Sequence, residues 1–364
     1  MSLRIGVLAS IAHRTPPWGY GPWEQVASTL AEGLVALGHE VTLFATADSE
    51  TAGRLHAVAP HGYDEAPGYD VKVLESLHIA AAFERAGDFD VLSNQFDFLP
   101  LTYSRLVPTP VVSTIHGFSS ERIVPTYRAY NDIGHYVAIS DSDRHPDLTY
   151  AATIHHGIEL DGFTFSAKAQ GYLLFLGRIH PDKGTHVAIE VARRTGLPLV
   201  IAGIVHDQEY FDTAVAPHVG QAGVTYVGPV AAAERDALLG GAAALLHLID
   251  FAEPFGLSVV EALATGTPVI AYRLGSMPEL IQHGRTGFLV EDVDQAVDAV
   301  AQVEGLSRRN CRDDAEARFT SSRMVADYAE LFASIVEGGP SAASRASSSG
   351  TSTKAKRTDA SLAP

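Results

Sequence analysis

Cysteine is almost absent: Cys311 is the single one in 364 residues, which excludes an internal disulfide framework and a thiolate-rich metal site. A reducing, cytoplasmic compartment fits that scarcity. Positive charge is short as well. With Lys+Arg at 26 against Asp+Glu at 43 the formal charge is −17, and the acidic excess already holds within residues 1–160. Nucleic acid needs a positive face that this chain lacks, and there is no basic amphipathic helix of the kind that docks on anionic lipid. Long apolar runs are missing too, so no segment approaches the roughly 20 residues that cross a bilayer. The opening residues, Met1 to Ala9, are apolar over too short a run for a signal peptide and read as a first buried strand.

What remains is the composition of a globular enzyme, 46% hydrophobic and 19% charged. Its length calls for two domains. Buried β-type runs alternate with helical patterns, the signature of parallel α/β sheets. Strands are expected at Ile5–Ala9, Glu40–Ala45, Val71–Val73, Val91–Ser93, Val111–Thr114, Tyr136–Ile139 and Ile154–Glu159. An amphipathic helix over Gly21–Leu37 stops at Gly38. Asp161–Gln170 loses periodicity and reads as a linker. The alternation then restarts, with strands at Tyr172–Leu176, Leu199–Ala202, Thr225–Val227, Ala244–Leu248, Val269–Ala271 and Phe288–Val290. Helices are expected at Gly184–Thr195, Ala231–Gly240, Leu257–Ala264, Asp294–Val303 and Ser322–Val336. Residues 338–364 are Ser/Ala/Gly/Lys-rich with no apolar face, which predicts a disordered tail. Two doubly wound sheets predict a cleft with the ligand at the carboxyl ends of the strands.

Four stretches carry candidate chemistry. In G-R-I-H-P-D-K-G, Gly177 to Gly184, a strand runs into a helix start. Arg178 and Lys183 can converge there on a diphosphate, aided by bare N–H groups and the positive helix end. The alternative is a solvated loop with two ordinary surface cations. In E-P-F-G-L-S-V-V-E, Glu253 and Glu261 bracket a second helix start. The N–H groups of Phe255, Gly256 and Leu257 are free to meet hydroxyls or phosphate. Glu261 sits in an otherwise apolar run and suits vicinal hydroxyls such as those of a ribose, with a helix surface charge as the plainer alternative. In T-I-H-G-F, His116 ends a buried strand and faces the cleft, unless it is a satisfied structural histidine. In P-P-W-G-Y-G-P-W-E, Gly19 and Gly21 make a weak partial match to a dinucleotide fingerprint. Trp18, Tyr20 and Trp23 there offer an apolar platform for a sugar ring.

Other chemistries fit less well. No G-x-S-x-G elbow is present. The Asp-x-Asp pairs Asp88/Asp90, Asp141/Asp143 and Asp292/Asp294 read as caps rather than metal ligands. His155 and His156 are expected on opposite faces of a strand, which prevents joint ligation.

Taken together, the G-R…K-G stretch, Glu253/Glu261, T-I-H-G, V-A-I-S (Val137–Ser140), H-H-G-I-E (His155–Glu159), G-T-P-V-I-A (Gly266–Ala271) and the run Pro278–Val290 resemble glycosyltransferase family 4. The opening loop most resembles the subgroup containing the avilamycin-biosynthesis glycosyltransferase. The resemblance spans residues 3 to about 336. It implies the GT-B fold, two Rossmann-like doubly wound parallel-sheet domains facing across a cleft. Residues 1–165 would form the acceptor-side domain and 171–318 the donor domain, with a helix over 319–337 crossing back to the first. It implies a metal-independent, cofactor-free, retaining hexosyltransferase acting on a nucleotide-sugar donor, UDP-glucose first and GDP-mannose next. The acceptor would be an unidentified small molecule, glycan or lipid-linked group.

By position, the resemblance assigns Arg178 and Lys183 to the diphosphate and Glu261 to the ribose. Glu253 and the amides of Phe255–Leu257 would take the hexose, with His116 near it from the opposite domain. The loop ending at Val230 would meet the base, and Gly19, Gly21 and Gly177 complete the donor set. Two departures stand out. Pro22 follows Gly21 where the subgroup has a second glycine, removing an N–H. Ser93-Asn94-Gln95 stands where the subgroup has histidines. A GT-B nucleotide-sugar epimerase and a catalytically silent nucleotide-sugar-binding module are the competing readings.

Overall fold

The computed structural model describes residues 2–66, 68–118 and 120–338. Strands β1 (Arg4–Leu8), β2 (Glu40–Ala45), β3 (Arg54–Ala57), β4 (Val91–Asn94), β5 (Val111–Ile115), β6 (His135–Ala138) and β7 (Tyr150–Thr153) form one parallel sheet, ordered β3-β2-β1-β4-β5-β6-β7. A second parallel sheet takes β8 (Tyr172–Leu176), β9 (Leu199–Ala202), β10 (Val224–Gly228), β11 (Ala242–His247), β12 (Val269–Tyr272) and β13 (Gly287–Val290) in the order β10-β9-β8-β11-β12-β13. The central strands are buried on both faces because helices cover both, so they read as continuous apolar runs.

The longer helices are α1 (Pro22–Ala36), α2 (Val71–Glu84), α3 (Thr185–Thr195), α4 (Ala232–Gly241), α5 (Leu257–Thr265), α6 (Val293–Val300), α7 (Arg308–Arg318) and α8 (Ser321–Glu337). Strand order reverses beside β1 and β4 in the first sheet and beside β8 and β11 in the second. Loops leaving those strands at their carboxyl ends diverge there and open a crevice. The segments singled out above, Pro16–Glu24, Gly177–Gly184 and Glu253–Gly256, leave three of these four strands.

Helix α8 belongs to the core of the first domain although it comes last among the described helices. Its Met324, Val325, Tyr328 and Phe332 pack with Val26, Leu30 and Leu34 of α1. A Cβ on Gly33 would lie 2.4 Å from Val325 Cγ2, so only glycine admits this approach. The Tyr328 hydroxyl shares a hydrogen bond with Thr114 Oγ1 at 2.8 Å. Burying side chains of this size stabilises by about 1.5–3 kcal/mol each, which ties α8 to the first sheet.

Several sequence expectations need correction. Val71–Val73 is the first turn of α2, not a strand. Asp70 caps it by accepting from the Val73 N–H at 3.1 Å, and Leu74, His78 and Ala82 bury one helical stripe. Ile154–Glu159 is not a strand either: the last strand is Tyr150–Thr153, and the following segment pairs with the start of α8 through Ile158 N–H to Phe319 O and Ser321 N–H to Ile158 O, both 2.9 Å. The 161–170 stretch is docked on the second domain, with Phe163 in its core and the Thr164 N–H held by Asp236 at 2.8 Å. The exposed edge strand β3 and the highly charged α7 were not anticipated, since neither carries a long apolar pattern. The expected disordered tail lies outside the described residues, Gly338 excepted.

Candidate active site

The first candidate stretch is shaped by close backbone approach. A Cβ on Gly203 would sit 1.8 Å from the Gly177 carbonyl oxygen, and one on Gly184 would sit 2.1 Å from that of Leu248. Gly184 also has φ 72°, a left-handed conformation that favours glycine. The chain therefore turns sharply after β8, makes the single turn Pro181–Lys183, and enters α3 pressed against the loop that follows β11. That contact delivers Lys183 to Glu253: Nζ lies 2.6 Å from Oε2, with both side chains largely buried. The ammonium also stands 4.8 Å above the Phe251 ring. Arg178 is half-buried and makes no ion pair among the described residues.

Glu253 is held from behind. Its carbonyl accepts the Ser276 N–H at 3.0 Å, and a Cβ on Gly275 would come within 2.5 Å of its backbone. Ser276 also donates its hydroxyl to the Phe255 carbonyl. Gly256, at φ 100°, starts α5. Among the described residues the N–H groups of Phe255, Gly256 and Leu257 have no hydrogen-bond partner, so they stand open at a positive helix end. His247, at the end of β11, is 7% exposed. Burial pushes its imidazole down to about 4, with the Glu253 carboxylate opposing and the Lys183 cation reinforcing.

Glu261 lies one turn further along α5, and its partner was not foreseen. Arg235 of α4 stands 3.5 Å away. Burial raises the Glu261 carboxyl above the ordinary range and Arg235 counteracts that rise. Val230 is half-buried on the loop beyond β10, which a register shift between Tyr226 and Gly228 bends away from the sheet.

The first domain supplies the opposite wall. Ser140 donates its hydroxyl to the Pro254 carbonyl at 2.7 Å. A Cβ on Gly117, which has φ 118°, would press 2.7 Å from Pro254 Cγ. The His156 ring meets Phe255 edge-on at 5.0 Å. Glu279 closes the junction, accepting the N–H groups of Asp141 and Ser142 at 2.9 and 2.7 Å and facing His155 Nε2 at 3.0 Å. The Glu253–Gly256 loop is thus gripped from both domains.

His116 stands at this wall, stacked on Trp23 at 5.5 Å and bonded to Gln95 and His156 rather than free. Burial pushes it down to about 3. Tyr20 is 51% exposed; partial desolvation raises its phenol first, Arg178 opposes that, and Glu253 and Glu24 add to the rise. Gly19 is exposed with open space around it, whereas a Cβ on Gly21 would meet Pro17 at 2.8 Å. Pro22 occupies the first turn of α1, a position whose N–H has no helical partner in any case. Of the aromatic platform, Trp18 is 78% exposed and lies on the Arg14 guanidinium at 3.9 Å, while Trp23 is committed to His116.

The Asp-x-Asp pairs are not uniformly caps. Asp292 caps α6 through the Gln295 N–H at 2.8 Å. Asp90 instead pairs with Arg4 at 2.6 Å. Asp143 is a buried carboxyl that burial, and then Glu279, push up to about 7. His155 and His156 diverge, towards Glu279 and His116 respectively, although they are not in a strand. Among the described residues no group of three or more His, Cys, Asp or Glu is placed to hold a metal ion, and no helix is long and apolar enough to cross a membrane. A depression of about 640 Å³ beside Pro16, Glu32 and Glu50 contains none of the candidate residues; the chemistry gathers at the strand ends instead.

Sequence reasoning missed Arg235, Ser140, Glu279, His247, Gln95 and His156 as parts of this site. Ser140 and Glu279 lay inside the recognised V-A-I-S and P-E-L-I-Q phrases. His156 lay inside the H-H-G-I-E phrase and Gln95 inside the Ser93-Asn94-Gln95 departure, whereas Arg235 and His247 sit in no recognised motif.

Comparison with known proteins bears on the family and the fold. Residues 160–318 match the family described as glycosyl transferases group 1, and residues 23–161 match glycosyltransferase family 4. A D-inositol 3-phosphate glycosyltransferase of Pseudarthrobacter chlorophenolicus is 28% identical over 360 residues, covering 83% of this chain and 84% of that protein. Among solved structures, a glycosyltransferase involved in avilamycin A biosynthesis aligns with a TM-score of 0.68 at 24% identity, over 92% of this chain and 98% of its own. Anabaena HepE, solved with UDP and glucose, aligns with a TM-score of 0.71 at 18% identity, over 92% and 100%. With matches running through both domains, and two parallel sheets whose carboxyl ends meet around Glu253, the chain belongs to glycosyltransferase family 4 and has the GT-B fold.

Proposed function

We propose that the protein transfers a hexose from a nucleoside-diphosphate sugar to an acceptor hydroxyl, with retention of configuration and without a metal ion or other cofactor. The observation that carries this reading is the meeting of Lys183 and Glu253 between two helix starts, beside Arg178 and the open amides of Phe255–Leu257. Two cations and two positive helix ends match a diphosphate that gains charge as its bond to the sugar breaks. The Lys183 ammonium is balanced by Glu253. A bound diphosphate would take over that balance, freeing Glu253 to accept hexose hydroxyls. Glu261 would accept the ribose hydroxyls, with Arg235 keeping it ionised. Val230 would line the base, and Gly19, Gly21 and Gly177 the donor's path. In a front-face reaction the acceptor hydroxyl attacks from the side the diphosphate leaves, and its proton passes to the departing phosphate oxygen.

UDP-glucose is the first donor to try, in keeping with HepE's UDP and glucose, and GDP-mannose the second. The acceptor class, a small molecule, glycan or lipid-linked group, is open to the same screen. The test is donor turnover in excess EDTA, with and without candidate acceptors. Slow hydrolysis and faster transfer that persist in EDTA support the proposal. Activity that is lost in EDTA and restored by Mg²⁺ or Mn²⁺ contradicts its metal-free part. Donor isomerisation without acceptor would favour an epimerase, and binding without turnover a silent module.

A further inference from the structure

At the first domain's wall three side chains form a line: Gln95 and His156, both buried, with the half-buried His116 between them. Gln95 is wholly buried. Its Nε2 lies 3.0 Å from Ser93 Oγ and 2.9 Å from Thr114 Oγ1, and its Oε1 lies 3.0 Å from His116 Nε2. His116 Nδ1 then meets His156 Nε2 at 3.4 Å. His156 is 4% exposed, and its Nδ1 has no partner among the described residues.

An amide can be turned over and an imidazole can carry its proton on either nitrogen, so two proton arrangements satisfy the line. In one, Gln95 Oε1 accepts from His116 Nε2–H and His116 Nδ1 accepts from His156 Nε2–H. The end of the line is then a bare lone pair on His156 Nδ1. In the other, every bond is reversed and His156 ends with a buried N–H facing no acceptor. Orphaned buried N–H groups are rarer in proteins than under-satisfied acceptors, so the first arrangement prevails. Both rings are neutral, since burial holds both well below the ordinary histidine range. The titratable or charged groups around the line are His155 and Arg323, both beside His156, each of which disfavours a proton there, and Tyr328, whose phenol meets Gln95 and Thr114 at the other end.

We infer that Gln95 is a positioning residue that fixes His116 as the Nε2–H tautomer, so that His116 meets the hexose as a hydrogen-bond acceptor through Nδ1. The His156 contact at 3.4 Å is long for a hydrogen bond, so a sugar hydroxyl that donates to His116 Nδ1 and accepts from His156 Nε2–H can take its place without leaving that N–H unpaired. The Gln95 contact at 3.0 Å stays. This assigns a role to the segment Ser93-Asn94-Gln95, where the sequence departs from the subgroup's histidines. The tautomer follows from the hydrogen-bond line alone; the meeting with a hexose rests on the proposed function.

The experiment is a long-range proton–nitrogen correlation spectrum of the ¹⁵N-histidine-labelled full chain. His116 and His156 are assigned by their loss in His116→Gln and His156→Asn. Both should show protonated Nε2 and bare Nδ1 at neutral pH; a protonated Nδ1 on His116 overturns the inference without needing any activity. In Gln95→Leu, checked for folding by circular dichroism, the His116 signal should lose its single tautomer. The KM for UDP-glucose should rise about tenfold, the worth of one hydrogen bond, with kcat and the Kd for UDP unchanged. A shifted tautomer with an unchanged KM would refute the acceptor role. If UDP fails to bind the wild-type chain, the proposed function fails, while the spectrum still decides the tautomer.

Discussion

The two walls of the cleft are built on different principles. On the second domain the charged groups are aimed by backbone: Gly184 lets α3 touch the Leu248 carbonyl, Gly275 lets its loop touch Glu253, and Gly256 opens α5 with its amides unpaired. On the first domain the wall is made of side chains that lean on one another, Trp23 on His116, His116 on Gln95, and Trp18 on Arg14. Its arginine is spent internally, bonded to the Glu50 carboxylate at 2.9 Å and only 3% exposed. A wall aimed by backbone holds one fixed charged group, as a leaving diphosphate requires. A wall of stacked rings and exposed aromatics can change its partner through a few substitutions.

That contrast can be tested from its strongest consequence downwards. On the proposed chemistry Lys183→Ala removes a cation whose partner gains charge in the transition state, so kcat should fall by roughly 10²-fold or more in steady-state donor kinetics. A change confined to KM would mean that Lys183 merely binds. If Glu261 accepts the ribose hydroxyls as proposed, a contact made equally in ground and transition states, Glu261→Gln should raise the donor KM by about 10–100-fold with kcat little changed. Because burial raises the Glu261 carboxyl and Arg235 opposes it, the ionised form is complete only above that raised value. Donor affinity should therefore fall as pH drops through it, and Arg235→Ala should move the fall to higher pH in a KM–pH profile.

Ser140→Ala deletes the bond across the cleft to the Pro254 carbonyl. It should lower kcat/KM for the donor by about fivefold, the worth of a single neutral hydrogen bond. An unaltered value would show that the loop needs no grip from the first domain. The smallest effect sharpens the comparison of the glycines. Gly184→Ala forces a Cβ against a carbonyl at positive φ and should cost about 1–3 kcal/mol by denaturant melting. Gly19→Ala enters open space and should stay within about 0.5 kcal/mol.

The difference between the walls also governs what the sequence could reveal. Alternating apolar runs located most strands and long helices within a residue or two, because burial on both faces leaves an unbroken apolar signature. Glycine-bounded turns exposed Arg178, Lys183, Glu253 and the α5 start, since a tight turn into a helix is a local event. Val71–Val73 misled because two β-branched residues alternate there, while the Asp70 cap and the stripe from Leu74 to Ala82 decide for helix. α7 escaped notice because it buries Cys311, Asp314 and Ala315 amid arginines and carboxylates. The grip of Ser140 on Pro254, the Glu261–Arg235 pair and the line from Gln95 to His156 join residues far apart in the chain. No spacing rule announces such contacts; they follow from the facing sheets alone.

The central claim is that the second domain holds a nucleoside-diphosphate sugar through Lys183, Arg178 and the α5 amides without a metal ion. Calorimetric titration of the full chain with UDP-glucose and GDP-mannose in excess EDTA tests it most directly, with Arg178→Ala and Lys183→Ala as partners. The account predicts saturable binding of one of these donors in EDTA, weakened in both variants. Binding that appears only when Mg²⁺ is added, or that is indifferent to both substitutions, would contradict it.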